Sequence, residues 1–251
     1  MDFLREIDLK KVPGHISIIM DGNGRWANKR GRSRWFGHRN ALKAVRETIE
    51  AANETGVEAI TFFAFSTENW DRPKEEIDNL MSLLIASIKK ERKNFIENNI
   101  KFNAIGSLHR LSETLQKSLS ETMESTEENN GLTVTLAISY GGREEIVYAI
   151  TNIAKKIESK EISIKEINES LVSKNLYTNS LPQVDMLIRT SGEYRLSNFM
   201  LWQLAYTELY FSNVLWPDFG KKDFYKALIE YQKRERRFGK TKAEIDISSK
   251  Q

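Results

Sequence analysis

The chain contains no cysteine, which excludes disulfides, thiolate metal sites and cysteine nucleophiles. Its only histidines are His15, His38 and His109, far apart in sequence, so a histidine-rich metal centre is not expected. No apolar run approaches the roughly 18–20 residues of a membrane span. The charged start, Met1-Asp2-Phe3-Leu4-Arg5-Glu6, lacks the apolar stretch of a signal peptide. There is no internal repeat, low-complexity tract or interdomain linker. A cytoplasmic protein is the expectation. What is present, 251 residues with 40% hydrophobic and 29% charged side chains, fits a soluble globular chain with one sizeable α/β domain or two small ones.

The formal net charge of +3 hides local asymmetry. Residues 25–39 carry six Lys/Arg and no acid, and residues 233–240 carry five basic residues against Glu235. Such runs attract phosphate-bearing partners. A solvated face or a nucleic-acid patch would explain them equally well, and charge alone does not choose.

Apolar runs alternate with helical patterns. Strands are predicted at Ile16–Met20, Val57–Phe65, Ile100–Ile105, Leu132–Ile138, Val184–Ile188 and Thr207–Phe211. Helices are predicted over 40–55, ended by Gly56, and over 73–98, opened by Pro73. Further helices are expected from a Ser107 cap through Leu115, near 143–158 and 163–173, and over 221–235. In the 73–98 helix, Leu83 and Ile85 widen the apolar face of Ile77, Leu80, Met81, Leu84 and Ile88, which suggests burial on more than one side. This order implies a mostly parallel sheet with helices on both faces. Ligands of such sheets sit beyond the carboxyl ends of the strands. Polar residues concentrate at those ends: Asp21 to Arg25, Ser66 to Arg72, Tyr140 to Arg143, and Arg189 to Ser197.

Met20-Asp21-Gly22-Asn23-Gly24-Arg25-Trp26 places a carboxylate, two glycines and a basic helix start after a strand. Glycines let backbone approach a phosphate, and free N–H groups favour anions. Asp21 is a hard oxygen ligand suited to Mg2+ shared with substrate phosphates; a tight turn with Asp21 as a cap explains it equally well. Gly22-x-Gly24-x-x-Ala27 also fits a dinucleotide fingerprint, but no acidic residue closes an early second strand. An aspartate phosphatase would want a second Asp at position 23, which is Asn. Phe65-Ser66-Thr67-Glu68-Asn69-Trp70-Asp71-Arg72 gathers hydroxyls, an amide, an aromatic and a guanidinium in one loop. Arg189 and Arg195 flank a glycine turn and offer bidentate phosphate recognition, although a surface salt-bridge loop would look the same. Glu208 sits in the apolar stretch Leu201 to Phe211, where a carboxylate wants a cation or an arginine.

At these segments the sequence resembles the cis-prenyltransferases of the undecaprenyl diphosphate synthase (isoprenyl transferase) family. The residues that carry the likeness run in family order: His15 to Ala27, Phe36-Gly37-His38, Ala64 to Trp70, Tyr140-Gly141-Gly142-Arg143 and Ile188 to Glu193, then Arg195-Leu196-Ser197-Asn198, Glu208 to Ser212, Leu215 to Asp218 and Arg234 to Gly239. The resemblance implies a single domain with a six-stranded, mostly parallel sheet and a hydrophobic tunnel. It also implies Mg2+ dependence and a homodimer, with no nucleic-acid partner. The implied reaction is condensation of isopentenyl diphosphate with an allylic diphosphate, usually farnesyl diphosphate, to a long-chain cis-polyprenyl diphosphate, undecaprenyl diphosphate in bacterial members, for cell-wall lipid-carrier synthesis. Peripheral membrane contact for product release fits the same picture.

Carried over residue by residue, Asp21 would be catalytic and hold the metal, with Glu208 the second metal-linked carboxylate. Asn69 is assigned to proton removal; an amide is a feeble base, so it would relay through diphosphate or water. Gly22, Asn23, Gly24, Arg25, Arg34 and His38 would hold the allylic diphosphate, with Trp26 beside them. Arg72, Arg189, Arg195, Leu196 and Ser197 would hold isopentenyl diphosphate, and Ser66, Thr67, Glu68 and Trp70 would position both. Ser191 replaces a frequent glycine, and Tyr194 stands where some members carry histidine. Trans-type prenyl synthases use clustered Asp-Asp motifs, and no Asp-Asp pair occurs here. A nicotinamide-dependent oxidoreductase and a non-catalytic partner subunit of a prenyltransferase are the competing readings. The expected division is an N-terminal segment 1–14, a catalytic domain 15–240 and a flexible tail 241–251.

Overall fold

The computed structural model describes residues 3–235. The predicted tail and the basic residues Arg236 to Lys240 lie outside the described residues. Six strands form one sheet: β1 (His15–Ile19), β2 (Ala59–Ser66), β3 (Lys101–Ile105), β4 (Thr133–Tyr140), β5 (Met186–Arg189) and β6 (Glu208–Phe211). Their order is β3-β4-β2-β1-β5-β6, and every neighbouring pair is parallel. Parallel neighbours need long crossovers. The helices α1 (Asn23–Asn28), α2 (Arg34–Thr55), α3 (Lys74–Glu97), α4 (Glu113–Ser125), α5 (Gly142–Glu158), α6 (Glu169–Lys174) and α7 (Lys221–Gln232) lie between and after the strands.

Side chains alternate across a strand, and the sheet uses both faces. Ile16 and Ile18 of β1, Ile60 and Phe62 of β2 and Ile188 of β5 point into the larger core with α2, α3, α4 and α7. Ile19, Ala137 and Leu187 point into a smaller core with Phe199, Met200 and Leu204. Fully burying one such side chain stabilises the fold by about 1.5–3 kcal/mol.

Beyond shifts of two or three residues at the ends of β2, β4, β5 and α7, the elements differ from expectation in three places. α2 begins at Arg34 rather than near residue 40, because its first turn exposes Arg34, Trp35 and Phe36 and carries no apolar periodicity. Ser107 does not open α4: its hydroxyl donates to Glu144 Oε1 at 2.6 Å, and Ser112 caps the helix by accepting from Leu115 N. The helix predicted over 163–173 divides into a 3-10 turn, Ile164–Glu166, and α6, which Asn168 caps afresh.

The wide apolar face of α3 turns toward a cavity. Among its residues only Ile88 and Phe95 are buried. Leu80, Leu83, Leu84 and Ile88 line a cavity of about 480 Å³ between α2, α3 and the sheet, floored by Phe62, Val134 and Leu136. Ile85 packs instead against the larger core.

Candidate active site

The register puts the chemistry at one end of the sheet. Ile19 pairs with Phe63 and with Arg189, so Asp21, Ser66 and Arg189 all leave their strands at the same carboxyl-terminal edge. Asp21 is fixed through its carbonyl, which accepts from Thr190 Oγ1 at 2.6 Å and from Trp216 N at 3.0 Å. Gly22 follows with φ 110°, and a Cβ there would sit 3.0 Å from both Leu215 and Ser191. Only glycine turns the chain so closely at that point.

The Asp21 carboxylate accepts from Arg189 Nη2 at 2.9 Å and lies 3.4 Å from Arg25. Burial pushes its pKa up, but the hydrogen bond and charge of Arg189, with the charge of Arg25, hold it below the usual carboxylate value. Arg189 is 3% exposed and also donates to Arg195 O at 2.5 Å and Ser197 Oγ at 2.7 Å. Arg25 reaches Glu193 at 2.8 Å and Ser191 Oγ at 2.5 Å, and Arg195 closes on the same Glu193. On the opposite rim Arg72 bonds Glu76 at 3.1 Å, with Arg34 3.8 Å from the same carboxylate. His38 lies among these groups. Burial, and then the charge of Arg72, lower its pKa from 6.5 to about 4 against the opposing pull of Glu76, so at neutral pH it is an uncharged imidazole.

Asp21, Gly22, Asn23, Gly24, Arg34, His38, Ser66, Asn69, Arg72, Arg189, Arg195 and Ser197 all line the mouth of the cavity. Three of them present buried polar atoms without a protein partner: Asn23 Oδ1, His38 Nε2 and Arg189 Nε. Such atoms are costly unless a ligand or water satisfies them. The Asn69 carboxamide oxygen accepts from Ser66 N at 3.2 Å.

Other predicted site residues stand back from the cavity. Trp26 turns away: its indole donates to Asp218 at 2.7 Å and stacks on Phe36 at 5.7 Å. Trp70 donates to Ser139 Oγ at 3.0 Å and meets Phe65 edge-on. Thr67 and Glu68 bond each other at 3.3 Å, and Leu196 packs on the smaller core. Arg25 acts on the mouth through Asp21, Ser191 and Glu193. Glu208 is not brought to Asp21 within one chain. It opens β6 opposite Met186, three residues before the Arg189–Phe211 pair, and binds Arg234 at 3.1 Å. Tyr194 is exposed and packs on Phe211. Sequence reasoning gave no role to Glu76, Glu193 or Thr190; the i,i+4 spacing of Arg72 and Glu76 was the available signal for one of them.

Among the described residues no cluster of three or more His, Asp or Glu could cage a metal. The mouth does offer an ionised Asp21 beside an unpartnered acceptor, Asn23 Oδ1, and an unpartnered donor, Arg189 Nε. That set fits a hard divalent cation held by one carboxylate and shared with phosphate oxygens. Among the described residues no helix is long and apolar enough to cross a membrane. The arrangement as a whole is a cationic rim opening on an apolar tunnel, suited to a molecule with an anionic head and a long hydrocarbon tail.

Comparison with known proteins agrees. Residues 19–239 match a family model described as "Putative undecaprenyl diphosphate synthase". A ditrans,polycis-undecaprenyl-diphosphate synthase ((2E,6E)-farnesyl-diphosphate specific) of Haemophilus influenzae is 49% identical over 236 residues, 94% of this chain and 99% of that one. The crystal structure of lavandulyl diphosphate synthase from Lavandula x intermedia in complex with dimethylallyl diphosphate superposes with a TM-score of 0.89 at 38% identity, covering 92% of this chain and 100% of that one. A probable undecaprenyl diphosphate synthase from Campylobacter jejuni gives 0.76 at 36% identity, covering 91% and 99%. With its parallel six-stranded sheet, its tunnel and this likeness along nearly the whole chain, the protein belongs to the undecaprenyl diphosphate synthase family of prenyltransferases.

Proposed function

We propose that this chain condenses isopentenyl diphosphate with an allylic diphosphate, farnesyl diphosphate by analogy with its relatives, and repeats the step to build a long cis-polyprenyl diphosphate. The observation that carries the reading is the continuity of one cavity from the Asp21–Arg189 mouth to the apolar walls at Leu84, Ile88 and Phe102. Each buried methylene of a growing chain stabilises its binding by about 0.8 kcal/mol.

In each round the allylic carbon–oxygen bond breaks, a bond forms to the terminal alkene carbon of isopentenyl diphosphate, and that unit loses a proton. The charge that must be met develops on the departing diphosphate. Asn23, Gly24, Arg34 and His38 hold the allylic diphosphate. Arg72, Arg189, Arg195 and Ser197 hold isopentenyl diphosphate, and Ser66 and Asn69 set the spacing. Arg25, Trp26, Thr67, Glu68, Trp70 and Leu196 support these groups from behind. Asn69 has its oxygen committed to Ser66 N, so its amide orients a diphosphate oxygen, and the proton leaves to that anion. Asp21 is the residue that would hold Mg2+, which when bound neutralises the leaving diphosphate. Glu208 would join it only from a second copy. A homodimer is supported by the exposed apolar side chains Val147, Tyr148 and Ile150 on α5, Tyr206 before β6 and Leu209 within it. A cytoplasmic enzyme that meets the membrane peripherally fits a product of this kind.

The test is incubation of the purified full chain with farnesyl diphosphate, radiolabelled isopentenyl diphosphate and Mg2+, with products resolved by length. A ladder of extended polyprenyl diphosphates supports the reading. Diphosphate release without chain growth, or no turnover of any allylic primer, overturns it.

A further inference from the structure

One sequence motif has no role in the chemistry above: Tyr140-Gly141-Gly142-Arg143, at the end of β4. The structure gives it one. Asn198 docks there through its backbone and its side chain. Its carbonyl accepts from Gly142 N at 2.6 Å, and its Oδ1 accepts from Arg143 N at 3.0 Å. A Cβ at Gly141 would sit 2.5 Å from Thr67 Oγ1 and 2.9 Å from Asn198 Nδ2, and one at Gly142 would sit 2.8 Å from Leu201 Cγ and 3.1 Å from Asn198 O. The two glycines leave the space that Asn198 shares with Thr67 and Leu201.

The remaining donor of Asn198 points to a different loop. Its Nδ2 donates to Glu68 Oε1 at 2.9 Å, in the 3-10 turn Thr67–Asp71 that follows β2. On the other side, Ser197 is the residue whose hydroxyl accepts from Arg189. Asn198 therefore stands between the arginine loop and the Ser66–Arg72 loop, with α5 as the fixed point. The backbone confirms a demanding position. Ser197, Asn198 and Met200 have φ of 50°, 60° and 45°, and such clusters of left-handed non-glycine residues concentrate at functional sites. Asparagine tolerates that region better than most residues.

We infer that Asn198 is a positioning residue which ties the Arg189–Ser197 loop to the Ser66–Arg72 loop, the two loops that hold isopentenyl diphosphate between them, and so sets where that substrate lies relative to the allylic carbon. The inference rests on the prenyl-transfer reading and deepens it. A misplacement of about 1 Å between reacting groups can cost on the order of 100-fold in rate, so a side chain that touches neither substrate can control turnover.

The test reverses the polarity of one hydrogen bond. Asn198→Asp keeps the acceptor for Arg143 N and tolerates the left-handed backbone, but it sets a second carboxylate against Glu68. Glu68→Gln supplies a donor in return. We expect Asn198→Asp to lower kcat ten- to a hundredfold, with a smaller change in either KM and little change in thermal midpoint. Combining it with Glu68→Gln should restore kcat at least to that of Glu68→Gln alone. Asn198→Ala should lose kcat without rescue by Glu68→Gln. Wild-type enzyme is assayed alongside, because failure of the wild type to elongate farnesyl diphosphate would strike the prenyl-transfer reading instead. With the wild type active, kcat within twofold for Asn198→Asp, or simple multiplication of the two single effects in the double variant, overturns the inference.

Discussion

Asp21 gives the sharpest test of the site, because its roles in stability and in turnover separate. Replacing it with Ala removes the 2.9 Å bond to Arg189, a guanidinium only 3% exposed. A hydrogen bond between charged groups contributes about 1.5–3 kcal/mol. The loss should fall near the middle of that range, because Arg189 keeps Arg195 O and Ser197 Oγ and the Asp21 side chain is 30% exposed. For a domain of this size about 2 kcal/mol lowers Tm by roughly 4–8 °C. Asp21→Asn keeps a neutral acceptor and should lose about half as much. The sign with pH follows from the lowered pKa of Asp21. The stabilisation is fully present above the unfolded carboxylate value, near 4, and is lost as pH falls through the lower folded value. The Tm gap between wild type and variant should therefore close in acid. Catalysis should respond differently. Loss of one group that stabilises developing charge typically costs about 100- to 1,000-fold in kcat, and both variants should show it at saturating Mg2+. Without metal, inorganic pyrophosphate should bind Asp21→Asn at least as tightly as wild type, since the carboxylate no longer competes for Arg189. A kcat within threefold of wild type in Asp21→Asn would refute the reasoning, whatever its Tm.

His38 is held neutral, with its pKa lowered to about 4. Between pH 4 and 6.5 the unfolded chain binds a proton there that the folded chain refuses, so His38 makes stability fall as pH drops through that window. A bound diphosphate should raise this pKa, and calorimetry near pH 5.5 in buffers of different ionisation enthalpy should show proton uptake that His38→Ala abolishes; equal uptake in both proteins would contradict the assignment. Val134→Phe, on the floor of the cavity, should shorten the product distribution while leaving the first condensation intact. Each methylene excluded forfeits about 0.8 kcal/mol of binding, and an unchanged ladder would show that the chain runs elsewhere. Phe224→Ala, on the buried face of α7, should cost about 3–5 kcal/mol in denaturant titration with near-normal activity per folded molecule.

The strands were legible because the fold buries both faces of the sheet, so Val57 to Phe65 and Leu132 to Ile138 read as continuous apolar runs. Strand ends were legible for the same reason, since the first polar residues after each run, Asp21, Ser66 and Arg189, are those at the mouth. Helix starts were harder. Ser107 and Ser112 carry the same capping chemistry, and only the position of Glu144 decides which hydroxyl is free to cap. The orientation of single side chains was not legible at all. Trp26 lies within the most recognisable motif of the chain, yet Asp218, 192 residues away, turns its indole from the cavity. The apolar face of α3 shows a further limit: periodicity identifies a face that avoids water, and it does not distinguish a packed core from a tunnel wall.

The ion pairs at the mouth explain why a divalent cation suits this site. Arg25, Arg34, Arg72, Arg189 and Arg195 face Asp21, Glu76 and Glu193, and every one of these carboxylates is already within 4 Å of two guanidinium groups. The ligand-free rim is thus largely self-neutralised, with an excess of two positive charges. An arriving diphosphate must take arginines away from carboxylates, and each displaced carboxylate would then face the new anion across a short gap. Glu76 and Glu193 stand at the rim outside the cavity lining, whereas Asp21 lines the cavity on a backbone fixed by Thr190 and Trp216. A divalent cation held by Asp21 would offset that repulsion. The arginines alone would therefore hold a diphosphate, and Asp21 is the residue that would hold a metal to offset the charge of one departing beside it.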